Sequence, residues 1–273
     1  MLNKITSFSL VFFIVLKMSS QGLGFNESKY SSFEEYEPTS LGFTPPASQS
    51  LRDYAPLVIR QKGTSCVGFA TAYSALSIMH NYKLGIRQKF AKKFTAFDPY
   101  LVYSMITKTN DCNELTYIYE GLSALLNTGC KKYYVYPLLD CKSDLKKSDY
   151  LWSSNPYKLK NYYIIPKEQL RDRSFMIEHL KTAVCAVAPP VIGIKTTNSM
   201  AGKGYGDGTV GKDGLWVPSY YDKEIGGHAV TIIGYDDNKF GGAFEIMNSW
   251  GNDFGDDGFM WVKYDDLLKV IDE

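Results

Sequence analysis

The chain has 273 residues, 45% hydrophobic and 15% aromatic, with 30 basic and 29 acidic side chains and a net charge of +1. That length and apolar content suffice for one large core or two modest ones. The balanced charge gives no overall field for nucleic acid or an acidic membrane surface, so neither is expected as a partner.

The N-terminus, residues 1–22, reads as a signal peptide. Lys4 supplies its positive start, Phe8 to Leu16 its apolar core, and Ser19, Ser20 and Gly22 the small residues that precede cleavage. The core is far shorter than the roughly 20 residues of a membrane-spanning helix. Cleavage is expected rather than anchoring, and the mature protein is expected to be secreted or periplasmic. No cysteine precedes Cys66 to serve for lipid attachment.

Residues 23–50 carry Ser, Glu, Tyr and Pro without sustained periodicity and read as an extended lead-in or short pro-segment. The folded domain is expected over 51–273. Thr64 or Ser65 can cap a helix from about Cys66 to His80 or Asn81, with Phe69, Ala72, Tyr73, Leu76 and Met79 at helical spacing. Lys83 to Lys93 is the densest basic run, with Phe90 and Phe94, and reads as a solvated helix or loop face. Asp98-Pro99 starts a second helix through about Met105, and Gly121 to Asn127 forms a third, closed by Gly129.

The second half differs. Ser174 to Ala183 reads as a short helix, and Val184 to Ile194 as a strand-like run broken by Pro189-Pro190. Residues 201–214 hold six glycines and read as a loop. Strands are predicted over His228 to Tyr235, Ala243 to Asn248 and Gly258 to Tyr264, joined by turns at Asp236-Asp237-Asn238 and Gly251-Asn252-Asp253. The pattern suggests two lobes, helical over about 64–165 and β-rich over about 166–273, with a cleft between them.

Five cysteines occur: Cys66, Cys112, Cys130, Cys141 and Cys185. An odd count in an exported protein points to a free thiol, and Cys66 is the natural one. The other four admit two disulfides, one or none. Cys185 lies in an apolar run and is expected to be an inert buried thiol. The helix start at Cys66 favours negative charge, which a nucleophilic thiolate needs. Of three histidines, His80 and His179 fall inside predicted helices with no motif around them. His228 follows Gly226-Gly227 and opens a strand, and Asn248 ends the next one, from which antiparallel pairing brings it beside His228. Together they make a nucleophile, its base and the base's orienter.

On these residues the chain resembles a papain-like cysteine peptidase of bacterial type. The likeness spans about Leu51 to Asp265 and rests on Gln61-Lys-Gly-Thr-Ser-Cys66-Val-Gly-Phe-Ala, His228-Ala-Val, Asn248-Ser-Trp-Gly and Gly258-Phe-Met-Trp-Val-Lys-Tyr. Glu120-Gly121 and Tyr136-Pro137 with Cys141 are similar to two further family segments. The resemblance implies an α+β, papain-like two-lobed fold: a helical N-terminal lobe and a β-barrel-like C-terminal lobe flanking the active-site cleft. It implies Cys66 as nucleophile, His228 as general base and acid, Asn248 as orienter and Trp250 as the ring shielding the His228–Asn248 bond. Gln61 becomes the side-chain donor of the oxyanion hole, although it stands five positions before Cys66 where the family usually has six. A disulfide between Cys112 and Cys141 is implied in the same way. The implied activity is peptide-bond hydrolysis through an acyl-enzyme, on a polypeptide substrate, by a monomer with no metal, no cofactor and no membrane anchor. Two rivals stand beside it. One is a non-catalytic module of the same fold, disfavoured by intact Cys66, His228 and Asn248. The other is acyl transfer to amines, disfavoured by Asn248 where aspartate would be usual.

Overall fold

The computed structural model describes residues 23, 44–109, 112–133, 156–165, 169, 171–201, 210–211, 213–218 and 222–272. Residues 1–22, Tyr136-Pro137, Cys141 and most of the glycine-rich 201–214 lie outside that set. Strand β1 (Ser48–Ser50) lies before residue 51, where the sequence suggests the folded domain starts. β1 pairs antiparallel with the end of β4 (Glu224–Asp236), Gln49 opposite Tyr235. It is fixed there by Arg52, which donates to Glu245 Oε1 (2.9 Å) and Asp256 Oδ2 (2.7 Å), and by Ser50 Oγ, which donates to Glu245 Oε2 (3.0 Å).

The helical part is organised by helix α1, in which Cys66–Gly68, Phe69–Leu76 and Ser77–Lys83 run together. Its middle stretch is π-helical, a wide form that tends to occur near functional sites. Thr71 and Ser77 contribute to that region by donating their hydroxyls to the Val67 and Ala72 carbonyls. Ser65 stands at the cap position, but no side-chain cap bond forms: its hydroxyl donates to the Lys62 carbonyl instead. The expected Thr64 or Ser65 cap is therefore absent. A short helix α2 (Lys89–Lys92) follows. Helix α3 (Pro99–Ile106) starts as predicted, with Asp98 Oδ1 accepting the Tyr100 and Leu101 amides and Pro99 in the first turn. Helix α4 (Ile118–Asn127) begins three residues before Gly121 and ends at Gly129, whose φ is +87°. Gly68 lets α1 and α3 meet: a Cβ there would lie 2.1 Å from the Pro99 carbonyl oxygen. Forcing such helices apart costs typically about 1–3 kcal/mol.

Helix α5 (Arg173–Cys185) is capped by Asp172 and runs two residues past the predicted end. Val184 and Cys185 thus belong to a helix, and the strand-like reading of that run holds only after Pro189-Pro190, in β2 (Val191–Thr197). Local apolar content does not separate a buried helical turn from a strand. Beyond β2 come β3 (Leu215–Trp216), β5 (Ala243–Met247), β6 (Phe259–Lys263) and a terminal helix α6 (Tyr264–Val270).

β4 is the spine of one six-stranded sheet. One edge takes β2 along its first part and β1 at its end; the other takes β5, then β6, then β3 parallel to β6. A barrel-like lobe was expected, but the sheet is open. Its outer strands are β1 and β2 on one side and β3 on the other, and the two-residue β3 is too short to close a ring of ladders. Helix and sheet share a core that includes Phe69, Tyr103, Met176, Trp216, Tyr235 and Phe244, all buried. Thr231 Oγ1 of β4 donates to the Ala70 carbonyl of α1 at 2.9 Å, tying the two halves together one turn from Cys66.

Candidate active site

The start of α1 meets β4 at the nucleophile candidate. Cys66 and His228 are both fully buried, and Asn248 nearly so. The Asn248 side-chain oxygen accepts the backbone N–H of Ser249 at 2.7 Å, which fixes the orientation of the amide. That same oxygen lies 2.8 Å from His228 Nε2. An oxygen that only accepts requires the proton on Nε2, so Nδ1 is left with a bare lone pair. Nδ1 is buried and has no hydrogen-bond partner. This is the tautomer a general base needs. Trp250 stacks on the imidazole, centroids 4.9 Å apart at 28°, with Phe254 edge-on behind it at 5.2 Å.

Burial dominates the electrostatics. It pushes the Cys66 thiol up to about 12, against the pull of the backbone amides of Ala229, Val67 and Cys66. The Ala229 amide directly follows His228, so the sulfur lies against the peptide of the candidate base. Burial also pushes the imidazole down to about 4, opposed by the bond to Asn248. Both groups are therefore neutral at pH 7 in this arrangement.

The source of part of that burial is Leu23. Its side chain is 3% exposed and belongs to a small apolar cluster with Cys66, Val67, Ala70, Ile118 and Ala229. Its amide donates to the Gly227 carbonyl at 3.4 Å, and its backbone bridges Thr116 in parallel. No local sequence pattern marks this contact.

Gln61 is held beside Ser249. Its backbone N–H donates to the Ser249 carbonyl at 2.7 Å, and Arg60 bridges Trp250 antiparallel. Ser249 Oγ donates to Gln61 Oε1 at 2.6 Å, and Gln61 Nε2 donates to the Gly63 carbonyl at 2.9 Å. An amide nitrogen has two protons, so one remains for a ligand. The five-residue spacing is taken up in a turn at Gly63, whose φ is +57° and whose Cβ would fall 2.1 Å from the Cys112 carbonyl oxygen. Ser249 was not singled out from the sequence, though it lies between Asn248 and Trp250. Its backbone orients Asn248 and its hydroxyl orients Gln61.

His80 and His179 lie elsewhere, as expected: His80 packs on the Phe97 and Tyr157 rings, and His179 stacks on Phe175. Cys185 is half-buried and touches the Tyr235 hydroxyl at 3.2 Å, rather than being fully enclosed. Among the described residues no cluster of His, Cys, Asp or Glu has the arrangement of a metal site.

A model of the papain family of cysteine proteases matches residues 64–269. The chain belongs to this family. A peptidase C1-like protein of Acanthamoeba polyphaga mimivirus is 35% identical over 89 residues, which cover 32% of this chain and 26% of that protein. The papain-family fold is also that of xylellain, a cysteine protease of Xylella fastidiosa, with a TM-score of 0.68 at 21% identity over 93% of each chain. Procathepsin B of Trypanosoma congolense aligns over 89% of this chain and 80% of its own, with a TM-score of 0.61 at 17% identity.

Proposed function

We propose that this papain-family chain is an exported endopeptidase acting through Cys66, His228 and Asn248. The observation that carries the reading is the bond from His228 Nε2 to an Asn248 amide whose orientation the Ser249 N–H sets. It leaves Nδ1 as the base beside the peptide on which the Cys66 sulfur lies. In the reaction, Nδ1 takes the thiol proton as the sulfur attacks the scissile carbonyl. The carbonyl oxygen becomes an oxyanion, received by the Cys66 amide and the free proton of Gln61 Nε2. Nδ1–H then protonates the departing amine, leaving a thioester acyl-enzyme. Water, deprotonated by Nδ1, releases the acid and returns the thiol. Trp250 keeps water from the His228–Asn248 bond.

The part of the lead-in before residue 44 serves as a short pro-segment, with Leu23 seated on Cys66 and holding the pair neutral. Its removal admits solvent and lowers the thiol pKa toward the range of a reactive cysteine. Export rests on the Lys4 and Phe8 to Leu16 pattern; among the described residues no helix is long and apolar enough to cross a membrane. The proposed Cys112–Cys141 bridge is supported by Cys112 being disulfide-bonded while Cys66, Cys130 and Cys185 are free. Cys141 lies outside the described residues. The test is hydrolysis of a broad peptide library by purified processed protein. Turnover lost in Cys66→Ala with the fold retained is expected; full turnover in that variant would falsify the reading.

A further inference from the structure

The basic run that the sequence presents as a solvated face carries an unusual load of exposed apolar surface. Residues 82–94 contain five cations (Lys83, Arg87, Lys89, Lys92, Lys93) and no acid. Yet of eight exposed large hydrophobic side chains among the described residues, four lie here: Tyr82 (44%), Leu84 (55%), Phe90 (74%) and Phe94 (36%). A helix face that only meets water turns its aromatics inward. Here the Phe90 and Phe94 rings touch each other, centroids 5.2 Å apart, and Phe90 is the most exposed of the eight. The segment is also held to the body by two of its cations. Arg87 donates to the Tyr54 hydroxyl through Nε at 2.8 Å and lies over that ring, and Lys92 Nζ donates to the Asp53 carbonyl at 2.9 Å. Lys83, Lys89 and Lys93 are exposed.

We infer that this segment docks the protein on an anionic lipid surface, with Phe90 and Phe94 entering the headgroup boundary and Lys83, Lys89 and Lys93 on the phosphates and carboxylates around them. Charge complementarity selects an anionic partner, and the absence of any acid in the segment removes self-neutralisation. Lysines are flexible point charges that suit mobile headgroups, whereas a defined acidic peptide is better matched by forked arginine pairs. An outward aromatic pair beside cations is the composition of an interfacial anchor. The chain's near-neutral total charge hides this feature, because the five cations are offset elsewhere in the sequence.

The test is co-sedimentation of the processed protein with phosphatidylcholine vesicles and with phosphatidylcholine–phosphatidylserine vesicles, at low and physiological salt. Binding to the anionic vesicles alone, weakened by salt, is expected. Each lysine neutralised at the surface should weaken it about fivefold, so Lys89→Gln with Lys93→Gln costs on the order of 25-fold. Phe90→Ser should weaken binding at high salt as well as low. All variants should cleave a soluble peptide like wild type, which also reports that they fold. Equal sedimentation with both vesicle types, none with either, or full binding by the double lysine variant overturns the inference. So does capture on poly-glutamate resin without vesicle binding, which would assign the surface to an acidic polypeptide.

Discussion

The hydrogen bond from Ser249 Oγ to Gln61 Oε1 allows the oxyanion donor to be tested through a neighbour that touches no substrate. Removing the donor itself, in Gln61→Ala, should lower kcat by about 10²–10³ with KM nearly unchanged, because the bond is made to charge that develops in the transition state. Ser249→Ala deletes only the 2.6 Å bond that aims the amide. A neutral hydrogen bond is worth about 1 kcal/mol net, so kcat should fall about fivefold. The Ser249 backbone N–H that fixes Asn248 survives that change, so the base should keep its pH profile. Ser249→Thr retains a hydroxyl and should recover most of the loss. The decisive arm is the double variant: if Ser249 acts through Gln61, adding Ser249→Ala to Gln61→Ala costs nothing further. Steady-state kinetics on a fluorogenic peptide with processed protein reads all four. A full additional fivefold loss in the double variant, or wild-type kcat in Gln61→Ala, refutes the reasoning.

Cys66→Ser should be nearly inactive, because a serine hydroxyl lacks the acidity to sustain a nucleophilic anion; turnover near wild type in a peptide assay contradicts this. Protein lacking residues 1–43 should alkylate Cys66 with an apparent pKa well below the value near 12 of the covered site, read from iodoacetamide rates against pH; an unchanged profile would remove Leu23 from the account. Burial pushes the Asp98 carboxyl up to about 7 against its bonds to the Leu101 and Tyr100 amides. The native state therefore favours the protonated form, and stability is lost as pH rises from about 4 through about 7. Asp98→Asn keeps the cap without the charge, so its melting temperature relative to wild type should climb across that window, and a flat difference would exclude the assignment. Non-reducing mass spectrometry of secreted protein should find Cys112 joined to Cys141; Cys130 paired with either would show the wrong partner had been chosen.

The parts of the fold legible in the sequence were those with strong local signals. Asp98-Pro99 announces α3 because a cap and a proline each satisfy the first turn, and Gly129 closes α4 through its positive φ. β4, β5 and β6 were readable from runs of β-branched and aromatic residues between turns. Cys66 and Asn248 stood out because each lies at the end of such an element; His228 was expected to open its strand, but β4 starts four residues earlier at Glu224, since Gly226 and Gly227 continue the ladder with β2 rather than ending it. What was missed depends on distant partners. β1 is a polar tripeptide whose strand character comes only from the β4 edge and from Arg52 reaching Glu245 and Asp256. The end of α5 was misread because Val184 and Cys185 are equally apolar in either structure. The open sheet reflects how short β3 is, which a barrel expectation overlooks. Ser249 looked like a turn residue until its hydroxyl met a glutamine 188 positions away, and nothing local marks Leu23 as a neighbour of Cys66.

Whether Cys66 is the activated nucleophile is read by labelling processed protein with an epoxide thiol probe, followed by peptide mapping. One probe per chain is expected, on Cys66, with hydrolysis lost in proportion to labelling and with Cys130 and Cys185 unmodified. His228→Ala should suppress the labelling of a nucleophilic Cys66. Peptide hydrolysis that persists with Cys66 fully modified would contradict that role, as would preferential labelling of Cys130 or Cys185.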